Sequence, residues 1–75
     1  MDQKLIELAA AALKVSPEEA RSHCKELPED KAWYFWNPTR GGGAVIIGED
    51  GQKLGATSAV TFERHLSVYR SGRRN

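Results

Sequence analysis

Trp33-Tyr34-Phe35-Trp36-Asn37-Pro38-Thr39-Arg40-Gly41-Gly42-Gly43-Ala44-Val45-Ile46-Ile47-Gly48-Glu49-Asp50-Gly51-Gln52-Lys53-Leu54-Gly55-Ala56-Thr57-Ser58 is the stretch that decides the fold. Two short runs of aromatic and β-branched residues are each followed by turn-forming residues, and a third, weaker run ends the pattern. That alternation is written by a small antiparallel meander. The first strand is expected at 31–37 and the second at 44–48. Asp50-Gly51 suits a hairpin whose twist matches its strands. The third strand is expected at 52–57, and Gly55, which has no side chain to pack, marks it as an edge or bulged strand.

Upstream, Leu5, Leu8 or Ala9, and Ala12 or Leu13 recur at helical spacing, and the four alanines Ala9–Ala12 favour a helix by intrinsic propensity. Asp2 is placed to cap it. Ser16-Pro17-Glu18-Glu19 is a capping box with proline at the first helical position, and Val15 and Ala20 stand where a hydrophobic staple would join. Ala20, Cys24 and Leu27 then read as one apolar stripe that Pro28 ends, so a second helix is expected at 17–27. Downstream, Thr61 caps a last helix carrying Phe62, Leu66 and Tyr69, and Ser71-Gly72 stops it. The fold class is therefore α+β: two N-terminal helices, a three-stranded antiparallel β-meander and a C-terminal helix. Residues 1–75 read as a single small domain, with 71–75 a flexible tail.

Composition narrows the function classes. A 75-residue chain with 40% hydrophobic and 28% charged residues has material for one small core and is too apolar for a disordered tail. A net charge of +1 provides no overall field to attract nucleic acid or membrane. The single cysteine excludes an internal disulfide. Met1-Asp2-Gln3-Lys4 leads into mixed acidic and apolar residues rather than an export segment, and no run approaches the roughly 20 apolar residues that span a bilayer. The expectation is a cytoplasmic protein.

Few residues suggest chemistry. Cys24 and His65 are a thiol and an imidazole, the ingredients of nucleophilic catalysis. Cys24, however, falls on the apolar stripe of the second helix, where a free cysteine acts as a small hydrophobe. His23 and Cys24 are adjacent and point off different faces of that helix, so with His65 they make no zinc set. Glu49 and Asp50 are explained by the turn they precede. Arg40-Gly41-Gly42-Gly43 superficially resembles an anion-binding loop, but phosphate loops place their glycines before a helix, and these precede a strand. The expectation is no catalytic residue, no metal and no cofactor.

The aromatic strand is the strongest candidate. Period two puts Ala32, Tyr34 and Trp36 on one face and Trp33, Phe35 and Asn37 on the other; Ala44 and Ile46 alternate with Val45 and Ile47 likewise. Both sheet faces are apolar. Either the three helices divide between them, or one face meets a further segment, a second copy of the chain or a different protein. Aromatic residues and arginine dominate interface energetics, which makes Trp33, Tyr34, Trp36 and Arg40 the expected partner-binding residues.

Trp33-Tyr34-Phe35, Ala44–Ile47, Glu49-Asp50-Gly51, Leu54–Thr57 and Phe62–Leu66, with Tyr69 near the helix end, resemble the small YrhB-like bacterial immunity-protein family. The resemblance covers about residues 33–70. It implies a non-enzymatic module that binds and neutralises a toxin, or acts as a chaperone. The short Gly41–Gly43 connection departs from the family in leaving less loop surface. A different class is raised by the order helix, three strands, helix, which double-stranded-RNA-binding domains share. Those domains place Lys and Arg at the start of the last helix, where this chain has Ser58-Ala59-Val60-Thr61-Phe62-Glu63. Its Arg70, Arg73 and Arg74 lie at the other end.

Overall fold

The structure, a computed structural model, describes residues 3–38, 42–57 and 59–74. The elements are α1 (Gln3–Leu13), α2 (Pro17–Ser22), β1 (Cys24–Leu27), a single 3-10 turn (Pro28–Asp30), β2 (Ala32–Trp36), β3 (Ala44–Gly48), β4 (Lys53–Ala56) and α3 (Phe62–Arg70). Among the described residues, four strands form one antiparallel sheet in the order β1-β2-β3-β4.

The α+β class and the meander stand, but the three-strand expectation is corrected to four. Residues 24–27, expected as the end of the second helix, are β1, paired with β2 from Cys24↔Phe35 to Leu27↔Ala32. The helix itself stops at Ser22, and His23 leaves helical geometry at φ −120° and ψ 63°. Cys24 and Leu27, three residues apart, would share a helix face; on a strand they take opposite faces. Both are useful there, because both faces of this sheet are covered.

On one face α1 and α2 pack Leu5, Ile6, Ala9, Ala10, Leu13 and Ala20 against Phe35, Val45 and Ile47. The alanines bring α1 close to the sheet. On the other face α3 packs Tyr69, with Phe62 and Leu66 at the margin, over Leu27, Ala32 and Ile46. The helices thus divide between the faces. Burial of Phe35, Ile46 and Ile47, each 0% exposed, removes apolar surface worth about 1.5–3 kcal/mol per side chain.

The ends of the elements are set locally. Ser16 caps α2 as its sequence requires: its Oγ accepts from the Glu19 amide at 3.2 Å, and Glu19 Oε1 accepts from the Ser16 amide at 3.2 Å. α1 ends without a glycine. Lys14 takes φ 58° and the Val15 amide donates back to the Ala10 carbonyl at 3.0 Å, which is a Schellman closure with lysine in the left-handed position. The expected cap Asp2 lies outside the described residues. The β3–β4 hairpin has a three-residue loop: Gly51, at φ 87°, donates to the Gly48 carbonyl at 2.9 Å, and Asp50 Oδ1 accepts from the Gln52 amide at 3.0 Å. Gly48 is held to its size by packing. A β-carbon there would stand 2.5 Å from the Tyr69 hydroxyl, where the end of α3 meets the hairpin.

Candidate functional site

β2 sends its aromatic side chains to two different layers. Phe35 is fully buried under α1, and Trp33 packs partly buried beside the same cluster. Tyr34 and Trp36 point the other way. The Phe62 ring meets Tyr34 edge-on at 4.7 Å, His65 meets it at 5.8 Å, and Trp36 stacks on it at 5.7 Å. Trp36 also takes the edge of His23 at 5.8 Å. Of the four expected contact residues, Tyr34 and Trp36 therefore share one surface, Trp33 belongs to the opposite face, and Arg40 lies outside the described residues.

The position of α3 explains why Trp36 stays partly open. The helix starts with Phe62 over Tyr34 and runs back along β2, so that Tyr69 reaches Ala32 and the Gly48 corner. Trp36 lies two residues beyond Tyr34 in the opposite direction, past the first turn of α3, and belongs to neither buried cluster. Across the sheet its neighbours on the same face are Ala44 and then Ala56, whose methyl groups keep the surface beside the indole low. The result is an apolar row around the start of α3.

His23, Lys25, Phe62 and His65 complete this cluster and were not legible as site residues. Lys25 Nζ lies 4.7 Å from the centre of the Phe62 ring. His23 and Lys25 reach it only because β1 is a strand, and the helical reading of 17–27 hid that. His65 is 2% exposed, with its Nε2 2.7 Å from the Leu54 carbonyl oxygen, so it ties α3 to β4. The only advance signal was Phe62 and His65 at helical spacing. Burial pushes the Tyr34 phenol above its ordinary range, which keeps it a neutral hydrogen-bonding group.

The thiol–imidazole pair does not assemble. Cys24 pairs with Phe35 and shares the α1 face, whereas His65 contacts Tyr34 on the α3 face. Burial first, and the Glu26 carboxylate second, push the Cys24 thiol up, away from the reactive thiolate. Among the described residues no three His, Cys, Asp or Glu side chains converge on a point that would hold a metal ion. No described helix is long and apolar enough to cross a membrane.

Two of the C-terminal arginines, Arg70 and Arg74, are engaged. Arg70 places Nε and Nη2 2.8 and 2.9 Å from the two carboxylate oxygens of Asp30, with Glu29 at 3.8 Å. Arg74 lies 3.6 Å over the Tyr69 ring and donates to the Tyr69 carbonyl at 2.7 Å. Comparison with family models, with curated proteins and with solved structures gives no match to this chain.

Proposed function

We propose that this chain is a non-enzymatic protein-binding module whose contact surface is centred on Trp36 and Tyr34. The observation that carries the reading is Trp36 itself: a large indole stacked on Tyr34, left partly open beyond α3 and continued by Ala44 and Ala56. Such a rigid aromatic anchor beside small residues is the kind of group that fills a partner's pocket at low entropic cost. The resemblance of residues 33–70 to the YrhB-like immunity family supplies the form of the activity, capture of a partner protein that is thereby neutralised. Arg40, which lies outside the described residues, stays in the proposal on its residue type alone. Trp33 does not, since its face is occupied by α1 and α2. Separation of Cys24 from His65 supports a binding role over catalysis, and the pairing of Arg70 and Arg74 within the chain supports a protein partner over nucleic acid.

Trp36→Ala tests this directly. Truncating a tryptophan of the core would cost about 3–5 kcal/mol; for this half-covered ring the expected loss is about 1–2 kcal/mol. The variant should therefore still melt cooperatively, while the wild-type complex, with a copurified partner or with a second copy, is lost in sedimentation velocity. A variant that does not fold would make Trp36 a core residue. One that folds and still forms the complex would remove the aromatic end from the site.

A further inference from the structure

α3 leaves a groove on each side, and the two differ in their charges. Toward β1 the groove is about 330 Å³ and lined by Lys25, Leu27, Phe62, Leu66 and Arg70 among others. Its cations are already engaged, Arg70 by Asp30 and Lys25 by the Phe62 ring. Toward β4 the groove is about 240 Å³, with walls formed by Leu54, Ala56, Thr57, Val60, Arg64 and Val68. Arg64 and Val68, four residues apart, lie on one side of α3, and Val60 stands in the turn just ahead of its Thr61 cap. Val60, at 37%, is the most exposed of the larger apolar side chains among the described residues. Arg64 is exposed and the described residues give its guanidinium no ion pair, although Asp30 and Glu29 do pair with Arg70.

From this we infer that the β4–α3 groove binds an extended segment of a partner protein that presents apolar side chains and, beside them, a carboxylate to Arg64. The inference rests on the protein-binding reading and names the partner's chemistry. Charge selects the acid: an unpaired guanidinium at the rim of an apolar trough is complementary to a carboxylate, which it grips with two parallel hydrogen bonds. Size selects a peptide over a free small molecule, because ligand pockets enclosing a whole molecule run to about 300–1,000 Å³. The straight wall of β4, four residues or about 13 Å long, suits an extended chain whose alternate side chains enter the groove. Ala56 joins this groove to the Trp36–Ala44 row, so one partner can span both.

The probe is a terminally blocked heptapeptide alternating leucine and glutamate, titrated into the isotopically labelled chain while amide chemical shifts are followed. Matched peptides carry lysine for glutamate or serine for leucine, and octanoate serves as the free small acid. The expected result is saturable shifts at Ala56, Val60, Arg64 and Val68 with the leucine–glutamate peptide, and at least tenfold weaker binding for each control. Arg64→Glu should reverse the preference toward the lysine peptide, and at an exposed position it leaves the fold intact. Equal binding of the charge variants, equal binding of octanoate, shifts centred elsewhere, or no saturation at millimolar peptide would each overturn the inference. The Trp36→Ala result is read separately: a complex lost in that variant while this titration fails defeats the groove and leaves the aromatic end standing.

Discussion

Two lysines carry backbone angles that a β-carbon resists. Lys14 closes α1 at φ 58° and Lys31 ends the 3-10 turn at φ 50°. Neither signals a turn in the sequence, where glycine or asparagine would, so the sequence carries no stop for α1 at this point. The left-handed conformation costs a residue with a side chain about 1 kcal/mol relative to glycine. Lys14 is exposed, so its replacement sacrifices no packing. Lys14→Gly should raise stability by about 0.5–1 kcal/mol, net of the added freedom of the unfolded chain. Urea denaturation checks this; a lower midpoint with unchanged slope would mean the lysine side chain contributes more at the end of α1 than its backbone costs.

At the scale of elements, what could be read from the sequence depended on whether the signal was local. The capping box of α2, the Thr61 cap of α3 and the Asp-Gly hairpin are satisfied by residues within a few positions, and each lies where the sequence puts it. β1 is not local. Cys24-Lys25-Glu26-Leu27 has no strand pattern of its own and becomes a strand because β2 offers it a hydrogen-bonded edge. The same nonlocality concealed the contact between β1 and α3, and with it His23 and Lys25 as neighbours of the aromatic surface. Another link across the sequence is Arg70 of α3 on Asp30, 40 residues apart. The hydrogen bond from Arg70 holds the Asp30 carboxyl below its ordinary value. A depressed carboxylate contributes stability that is present above the unfolded-state pKa, about 4, and lost as pH falls through the lower folded value. Asp30→Asn should therefore melt below the wild type at pH 7, and the gap should close as pH falls below about 4. Melting curves with a constant gap down to pH 2 would show that the ion pair is not its source.

For the whole molecule, the two layers are unequal. Among the described residues, the cluster under α1 and α2 holds nine that are buried, Leu5, Ile6, Ala9, Ala10, Leu13, Ala20, Phe35, Val45 and Ile47, while that under α3 holds Leu27, Ala32, Ile46 and Tyr69. Period two in β2 and β3 showed that both faces were apolar. It did not show how thoroughly each would be covered, since that depends on a nine-residue helix reaching Tyr34 but not Trp36. The thinner layer also carries both grooves and the proposed contact surface, so binding and the weakest packing coincide. Regions with few buried apolar contacts open at lower free energy than the global transition. The amides of α3 should accordingly exchange with solvent through a sub-global opening, while those of β2 and β3 wait for complete unfolding. Native-state hydrogen exchange in increasing denaturant would show the α3 amides with a lower opening free energy and a shallower denaturant slope. If they merge with the central strands from the outset, α3 and the sheet unfold as one unit, and a partner meets a rigid surface instead of a helix able to shift over the sheet.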